Sequence, residues 1–416
     1  MSLLWSLYRA ATPIAGVLAP AAGMFAGAER PLWSERLGRL GSAPGPVDAW
    51  IHSASLGEAV AAQALHDALR AEAPAARCFF TATTRTGRER LGKLGAPAAL
   101  APLDTPQAAA AFLGALRPPR LFLIETELWP EWLTRARSNH VVVAVVSARL
   151  SARTAERYAW LGAPLRDLLQ GLTAVLCQTE DDRARWLALG ARPERTVVTG
   201  NLKFDALPAP ASDRGAARAA LGLDRPRPLL VLASLRPGEG RRLAAAWNAL
   251  APETRARWQV AAVPRHPHAS RAIRTEAEEA GAMIVTGGNP EPGAWRWDDR
   301  PGVLAEYYTA ADVAFVGGSL VPLGGHNPLE PAAAGAATLI GPHHESQRPA
   351  MELLAAAHAV LVTRDETLAG TLRGVLENEA ERTRLAEAGL RVAANARGAA
   401  KRAVARLMEW GAWPAA

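Results

Sequence analysis

The stretch AWIHSASLGEAVAAQALHDALR, residues 49–70, decides the fold of this chain. It opens with an apolar run at residues 49–52, passes through a turn of serine and glycine, and continues at residues 58–70 with the apolar spacing of an amphipathic helix. From Val47 onward, similar apolar runs alternate with helical stretches rich in alanine and arginine. Because this alternation is typical of repeated strand–helix units, the sequence predicts an α/β fold with helices on both faces of a parallel sheet.

Two series of candidate strands are separated by a segment rich in proline and alanine at residues 207–211, which is interpreted as a linker. The first series is predicted at residues 49–52, 78–81, 121–124, 141–146, 174–178 and 196–199. The second is predicted at residues 229–233, 259–264, 283–286, 312–316 and 338–340. One helix is predicted at residues 152–170, and a helical tail after Glu366. We therefore expect two doubly wound domains, residues 31–205 and 206–416, facing each other across a ligand cleft at the carboxyl ends of both sheets.

The charge balance limits the class of partner. The chain has 47 Lys and Arg residues against 40 Asp and Glu, a formal net charge of +7 that favours anionic partners. No zinc pattern, RNA-binding aromatic motif or basic helix accompanies this charge, so nucleic acid is not the predicted partner. A phosphorylated substrate and an anionic membrane surface explain it equally well. Cys78 and Cys177 each lie alone in an apolar run and are predicted to be core residues of a protein in a reducing compartment.

Residues 1–30 are predicted to form a membrane-associated segment. No charged residue occurs from Ala10 to Ala28, a length that barely suffices to cross a bilayer. The alanine and glycine content, together with Pro13 and Pro20, makes the segment weakly hydrophobic, so a cleaved signal peptide and a short interfacial anchor both fit. The retained anchor is preferred, because a secreted enzyme that handles phosphates and has so few cysteines would be unusual.

A serine-rich turn follows the first predicted strand and leads to Glu58. Ser55 and Glu58 have the S-x-x-E spacing of a capping box, so a structural role explains them as well as a catalytic one. The position favours catalysis, because the carboxyl end of the first strand faces the crevice of a doubly wound sheet. Glu58 is therefore the predicted catalytic base. A second polar turn, residues 81–87, suits an anionic or polyhydroxy ligand and is explained equally well as an ordinary loop.

Two carboxylates, Glu125 and Glu127, follow the apolar run at residues 121–124. Acids at one sheet edge repel each other unless cations lie nearby, so this pair indicates a functional role. The candidate cations are Arg149 and Lys203, although each is also explained as a solvated surface charge. The spacing leaves open which of the two acids faces the site.

Three strand ends of the second half carry candidate nucleotide-binding residues. Ser234 lies in a glycine-containing loop that lacks the Gly-Lys-Ser/Thr ending of a nucleotide triphosphatase. Arg265 and His266 place positive groups at the next strand end and favour a phosphate, and the spacing of nearby side chains does not match a zinc motif. The glycine-rich stretch at residues 317–331 permits close backbone approach to a ligand and offers free N–H groups at a helix start. Its candidate binding residues are Gly318, Ser319, Asn327, Pro328, Leu329 and Glu330, the last as an acceptor for ribose hydroxyls.

In this order the motifs resemble those of the bacterial 3-deoxy-D-manno-octulosonic acid (Kdo) transferases of lipopolysaccharide biosynthesis, over nearly the whole chain. The residues that carry the resemblance are 52–58, 81–87, 125–130, 200–205, 264–267 and 317–331. The resemblance implies a GT-B glycosyltransferase with two Rossmann-like domains, anchored at the cytoplasmic face of the cell inner membrane and in contact with its lipids. It further implies CMP-Kdo as donor, lipid IVA as acceptor of an inverting transfer, and neither a metal nor a cofactor.

By the same resemblance, Glu58 is the base, while Glu125, Glu127 and Lys203 are stabilising positions. The implied nucleotide contacts are Arg265, His266, Pro301, Gly302, Val303 and residues 327–330. The chain departs from the family pattern in three places: Leu235-Arg236 replaces Thr-His, Pro301-Gly302-Val303 replaces Met-Gly-Glu, and residues 345–348 replace a stretch with Asn-Phe. The rival functions are a nucleotide-sugar 2-epimerase of the same fold and a membrane-bound binding scaffold without catalysis.

Overall fold

The computed structural model describes residues 3–23, 27–41 and 45–414. The described chain forms two compact units. The first runs to Ala206 and is rejoined by the chain from Gly398, and the second is Leu207–Arg397. Each unit is built on its own seven-stranded sheet, and the α/β prediction is confirmed.

The first sheet is parallel throughout and reverses its strand order at the centre. Its strands are β1 (Ala49–Ser53), β2 (Cys78–Ala82), β3 (Ala98–Leu100), β4 (Arg120–Ile124), β5 (Val142–Ala148), β6 (Ala174–Cys177) and β7 (Thr196–Val198). They are arranged β3-β2-β1-β4-β5-β6-β7, so the direction of winding changes between β1 and β4. Both neighbours of β1 pair with it in parallel. The loops that follow β1 and β4 therefore flank the switch point, where ligands bind in such sheets.

Helices cover both faces of this sheet because its strands alternate buried side chains between two apolar layers. The helices of this part are α1 (Leu3–Ala22), α2 (Trp33–Arg36), α3 (Leu56–Glu72), α4 (Arg85–Gly92), α5 (Pro106–Leu116), α6 (Pro130–Ser138), α7 (Ala152–Ala159), α8 (Ala163–Gln170) and α9 (Glu180–Leu189). Trp50 and Leu121 belong to one buried cluster, whereas the next residues along their strands, Ile51 and Phe122, belong to the other.

The second unit repeats this plan. Its strands are β8 (Leu229–Leu235), β9 (Gln259–Pro264), β10 (Ile284–Val285), β11 (Trp295–Trp297), β12 (Val313–Val316), β13 (Ala337–Ile340) and β14 (Val360–Val362). They are arranged β10-β11-β9-β8-β12-β13-β14, with the switch point between β8 and β12. Its helices are α10 (Arg214–Ala220), α11 (Glu239–Asn248), α12 (Pro252–Arg257), α13 (Pro267–Glu279), α14 (Leu304–Ala310), α15 (Leu329–Ala333), α16 (Arg348–Ala356), α17 (Leu368–Glu377) and α18 (Glu379–Ala396).

The C-terminal helix α19 (Ala399–Glu409) belongs to the first unit, whereas the sequence analysis assigned residues 206–416 to the second domain. Val404 and Leu407 of this helix lie in the same buried cluster as Ile51 and Phe122 of the first sheet. The carboxylate of Asp205 accepts hydrogen bonds from the first N–H groups of α19, including that of Ala400 at 2.6 Å. This return of the chain depends on tertiary packing, and an alanine- and arginine-rich pattern does not reveal it.

Every strand predicted from the sequence is present, with ends that differ by two residues at most. The three additional strands, β3, β11 and β14, are three residues long and were not predicted. The single helix predicted at residues 152–170 is wrong, because the chain breaks into α7 and α8 at Gly162, where φ is +61°. Glycine adopts this left-handed conformation at low cost, so it ends the helical run.

Helix α1 packs on the first unit through polar contacts. The Tyr8 hydroxyl donates to Asp104, Arg9 pairs with Glu131 at 3.1 Å, and Gln107 donates to the carbonyl of Pro13 at 3.2 Å. On the opposite side Leu7, Ile14, Val17 and Leu18 are each more than half exposed. Among the described residues, no helix has the length and apolar character needed to cross a bilayer.

Candidate active site

Glu58 lies in the first turn of α3, directly after β1. Ser55 is the N-cap residue in an extended conformation, and its Oγ accepts the Glu58 N–H at 3.4 Å. The Glu58 carboxylate turns back toward the loop, where Oε2 accepts the Ala54 N–H at 2.7 Å and Oε1 accepts the Ser55 hydroxyl at 3.2 Å. This reciprocal arrangement is a variant of the capping box. The capping interpretation therefore describes the local structure. The same hydrogen bonds also orient the Glu58 carboxylate at the switch point.

The electrostatic surroundings of Glu58 make it a stronger base than an ordinary carboxylate. Burial raises its pKa from 4.5 to about 7, the Ala54 N–H opposes this rise, and the negative charges of Glu125 and Glu127 add to it, while Lys203 lowers it. A general base works best when its pKa lies near the operating pH. The side chain is thus suited to accept a proton close to neutrality.

Glu125 is held by Lys203. The Lys203 Nζ lies 2.5 Å from Glu125 Oε1, and both side chains are partly buried. Glu125 has a φ of +63°, a strained value for a residue with a side chain, and its N–H donates to the Val146 carbonyl at 3.1 Å. The short 3-10 helix that carries Lys203 is tied to the sheet because the Leu202 N–H donates to Ser147 Oγ at 3.2 Å. Residues distant in sequence are thus joined into one ion pair at the sheet edge.

Glu127 has different partners. Its Oε2 accepts the indole N–H of Trp129 at 2.9 Å and lies 3.3 Å from Nε2 of His52, a buried residue of β1. Both acids lie close enough to Glu58 for their charges to raise its pKa. Arg149 is exposed, and among the described residues its side chain makes no ion pair with either acid.

The polar turn at residues 81–87 is largely committed to local structure. The Thr81 hydroxyl accepts the Trp50 indole N–H at 2.7 Å, and Thr84 caps α4 by accepting the Gly87 N–H at 3.2 Å. These bonds favour the ordinary-loop interpretation for the two threonines.

The loops at the switch point of the second unit are joined by a buried carboxylate that the sequence analysis missed. Glu239, fully buried at the start of α11, accepts N–H groups from Arg236 at 2.9 Å, Gly318 at 2.8 Å, and Ser319 and Leu320 at 3.0 Å each. In the sequence, Glu239 follows Gly238 at the start of a helix, just as Glu58 follows Gly57, and this shared pattern could have indicated it. The carboxylate thereby fixes the loop after β8 against the loop after β12.

This arrangement changes the role of two predicted donor-binding residues. The N–H groups of Gly318 and Ser319 point to Glu239, and the fully buried Ser319 hydroxyl donates to the Val316 carbonyl at 2.5 Å. They shape the loop, and among the described contacts they leave no free group for a ligand. Ser234 is buried with φ of +54° at a register shift of β8, a position that also shapes the loop.

Four positive or basic side chains converge above these loops. Burial first, then the charges of Arg265, Arg236 and His266, lower the pKa of His326 to about 4. Gly318 permits this convergence: it has φ of +68°, and a Cβ there would lie 3.1 Å from the His326 ring. The Nε of Arg236 is buried without a hydrogen-bond partner in the described structure. Arg236, Arg265, His266 and His326 are here called the cationic cluster; its positive charge comes from the two guanidinium groups, since the pKa values of both histidines are lowered, and it is a candidate site for an anion.

Asn327 and Glu330 border this cationic cluster. Asn327 Oδ1 accepts the Leu329 N–H at 3.1 Å, and its Nδ2 donates to Glu330 Oε1 at 3.3 Å. Burial raises the pKa of Glu330, while Arg265 opposes the rise. Leu329 is wholly buried, and Pro328 is the N-cap residue of α15. In the turn before α14, Pro301 and Gly302 are exposed, whereas Val303 packs in the core.

Comparison with known proteins extends these observations. The family model for 3-deoxy-D-manno-octulosonic-acid transferase (kdotransferase) matches residues 32–206. A 3-deoxy-D-manno-octulosonic acid transferase of Bordetella pertussis is 38% identical over 394 residues, covering 90% of this chain and 91% of the relative. The enzyme of the same name from Haemophilus influenzae is 30% identical over 380 residues and covers 89% of each chain.

Solved structures share the fold at low identity. UDP-GlcNAc 2-epimerase from Neisseria meningitidis, bound to UDP-GlcNAc, aligns with a TM-score of 0.62 at 12% identity, over 87% of this chain and 99% of that one. A putative UDP-N-acetylglucosamine 2-epimerase from Listeria monocytogenes aligns with a TM-score of 0.60 at 16% identity, over 88% and 96%. The solved structures show a shared architecture alone. The sequence identity to the Bordetella enzyme, in contrast, extends along nearly the whole length of both chains. The chain therefore belongs to the 3-deoxy-D-manno-octulosonic acid transferase family.

Proposed function

We propose that this Kdo transferase moves Kdo from CMP-Kdo to lipid IVA with inversion at the anomeric carbon, using Glu58 as its base. The observation that carries the proposal is the half-buried Glu58 carboxyl at the switch point of the first sheet, whose pKa of about 7 suits it to accept a proton. The substrates are those that the family resemblance implies, and the cationic cluster of the second unit is consistent with an anionic donor.

In the proposed reaction Glu58 accepts the proton of a primary hydroxyl of the acceptor glucosamine. The hydroxyl oxygen forms a bond to the anomeric carbon of Kdo while the bond from that carbon to the CMP phosphate oxygen breaks. One base suffices, because a phosphate leaving group departs without protonation, unlike the leaving group in glycoside hydrolysis, which uses two carboxyl groups. Lys203 pairs with Glu125 beside the base, and this salt bridge contributes to the electrostatic field at Glu58.

The donor is assigned to the second unit. The cationic cluster offers positive groups for the phosphate of CMP and the carboxylate of Kdo, and Glu330 offers an acceptor for ribose hydroxyls. No three acidic, cysteine or histidine side chains gather as metal ligands in the described residues. Glu58 receives the proton of the acceptor hydroxyl, and the phosphate oxygen of CMP takes the electron pair of the broken bond.

We also propose that the protein attaches to the cytoplasmic face of the inner membrane through helix α1. Four large apolar side chains, Leu7, Ile14, Val17 and Leu18, are exposed along one side of this helix. An amphipathic helix of this kind lies in the interface plane and does not cross the bilayer. Val17→Glu combined with Leu18→Glu is expected to lower flotation with anionic vesicles, whereas Leu353→Glu, the same change at an exposed leucine of the second unit, is not. Equal flotation of all variants would reject the attachment.

The decisive experiment incubates the protein with CMP-Kdo and lipid IVA and measures the mass of the lipid. Mass added in steps of one Kdo residue supports transfer and gives the number of residues transferred, while unchanged lipid rejects it. Offering UDP-GlcNAc in place of CMP-Kdo tests the rival function, because a 2-epimerase would convert that nucleotide sugar without any lipid. Loss of Kdo addition in Glu58→Gln, with CMP binding retained, would assign the base.

A further inference from the structure

His52 is a buried histidine of β1 whose two ring nitrogens both have partners. Its side chain is inaccessible to solvent, its Nδ1 lies 2.9 Å from Thr81 Oγ1, and its Nε2 lies 3.3 Å from Glu127 Oε2. The register of the sheet brings these groups together, since His52 pairs with Thr81 on β2 and with Leu123 on β4. The imidazole therefore links the interior of the sheet to the acid at its edge.

The hydrogen bonds of the His52 imidazole indicate which ring nitrogen carries the hydrogen. The Trp50 indole can only donate, and it donates to Thr81 Oγ1 at 2.7 Å. The threonine hydroxyl therefore has its own hydrogen available for His52 Nδ1. Nε2 then carries the ring hydrogen and donates to the Glu127 carboxylate, whereas the opposite tautomer would set a lone pair against that carboxylate. Burial lowers the pKa of His52, which favours this neutral form.

Aromatic contacts keep the ring in place. The imidazole packs edge-on against Trp132 of α6, with centroids 4.9 Å apart and an interplanar angle of 87°. Trp50 packs against the same Trp132 at 5.0 Å. Trp129, which also donates to Glu127, lies 5.3 Å from Trp132. A donor locked by packing determines the orientation of the group it bonds.

We infer that His52 is a positioning residue for the transfer reaction: as a neutral imidazole it holds the Glu127 carboxylate, through Nε2–H, beside the base Glu58. Two donors converge on Glu127 Oε2, and in the described part of the chain no hydrogen bond reaches Oε1. Oε1 is therefore the oxygen of Glu127 available to accept a hydroxyl of a sugar substrate. This inference rests on the proposed role of Glu58.

The charges around this pair set its effect on pH dependence. Glu127 and Arg36 face His52, with opposite effects on its protonation. Glu125, Glu127 and Lys203 face Glu58, and the two acids raise its pKa. Without the His52 donor, the Glu127 carboxylate is no longer held beside Glu58, so its repulsion of ionised Glu58 weakens. The acid limb of the pH profile of kcat/KM, which reports the base of the free enzyme, then moves to lower pH.

Three variants test the inference by activity. His52→Leu removes both bonds, His52→Gln retains an N–H near the place of Nε2, and His66→Gln changes another buried histidine of the first unit, one bonded to Asp67. We expect kcat to fall about 100-fold in His52→Leu, the cost of a small misplacement of a reacting group, and to recover at least tenfold in His52→Gln. His66→Gln should retain the wild-type kcat. Urea denaturation followed by tryptophan fluorescence checks that the first unit of each variant is folded, because Trp50 and Trp132 lie beside His52.

Two results would overturn the inference while wild-type transfer stands: equal activity of His52→Leu and wild type, or an acid limb of kcat/KM that does not move in His52→Leu. Failure of wild-type transfer would instead reject the proposed function. The tautomer is tested without activity by nitrogen-15 NMR of histidine-labelled protein. A neutral ring protonated at Nε2 from pH 6 to 9 supports the inference, and a ring protonated at Nδ1 or on both nitrogens rejects it.

Discussion

Glu58→Gln is expected to lose most of the transfer activity. Its free energy of unfolding, compared with that of wild type, is expected to increase as the pH rises. In the folded chain burial raises the pKa of Glu58 from 4.5 to about 7, and the charges of Glu125 and Glu127 add to this rise. A carboxyl with a raised folded-state pKa contributes most to stability below its unfolded-state pKa, and this contribution is lost as the pH rises through the folded-state value. The window of the effect is therefore pH 4.5 to about 7, between the two pKa values.

The magnitude follows from the shift. Each pKa unit corresponds to about 1.4 kcal/mol, so ionised Glu58 lowers the free energy of unfolding by about 3 kcal/mol at pH 8. At pH 5 the cost is below about 1 kcal/mol, because this pH lies close to the unfolded-state pKa of 4.5. Solvent screening of a half-buried side chain makes both figures upper values. Glutamine is uncharged throughout and still accepts from Ala54, so its advantage over wild type should grow by about 2 kcal/mol between pH 5 and pH 8.

The assay is urea denaturation followed by tryptophan fluorescence at both pH values, with transfer measured on the same samples. Transfer should fall by about two to four orders of magnitude, the usual contribution of general base catalysis. Glu89→Gln, at an exposed position of α4, is the control and should change neither quantity. The reasoning would be refuted if the stability difference between Glu58→Gln and wild type were the same at pH 5 and pH 8, or if transfer stayed near the wild-type level.

Further predictions concern Lys203, Arg236 and Asp205. Lys203→Met removes a cation that lowers the pKa of Glu58, so the acid limb of kcat/KM should move to higher pH; a shift to lower pH would contradict the assigned electrostatics. Arg236→Gln should raise the Kd for CMP about tenfold or more, as expected for a lost hydrogen bond to a charged group, while Arg274→Gln, at an exposed arginine of α13, should leave calorimetric binding unchanged. Asp205→Ala removes the cap of α19 and should destabilise that helix by about 1 kcal/mol, seen as faster amide exchange at residues 399–409; unchanged exchange would show that the cap contributes nothing.

Much of the fold was predictable because a buried parallel strand leaves a continuous apolar run. The runs ending at His52 and Ile124 predicted β1 and β4, and their order along the chain placed both before the linker. Strand β14 lies in the apolar run AVLV at residues 359–362 and was still not predicted, because so short a run fits a strand and a buried helix segment equally well. The unit on which α19 packs was not predictable either, because an apolar helical face does not specify its partner sheet, and the cap that Asp205 provides depends on tertiary structure.

The candidate site divides in a similar way. The positions of Glu58, Glu125 and Glu127 followed from a general rule, that side chains after parallel strands meet at one edge of the sheet. The rule did not predict which cation pairs with Glu125. Lys203 does so, and Arg149 does not, because Ser147 accepts a hydrogen bond from Leu202 and so holds the neighbouring Lys203 near the sheet edge. Glu239 escaped notice because a charged residue at a helix start is usually solvated.

The sequence by itself determined that this protein has two doubly wound sheets, that Glu58 lies at a strand end, and that its motifs occur in the order seen in the Kdo transferases. Periodicity and spacing are local properties, so they can be read along the chain. Only the tertiary structure decided what surrounds Glu58. Burial, the charges of Glu125 and Glu127, and the donor His52 come from segments separated by up to 75 residues, and a pKa depends on distances in space that spacing along the chain does not contain.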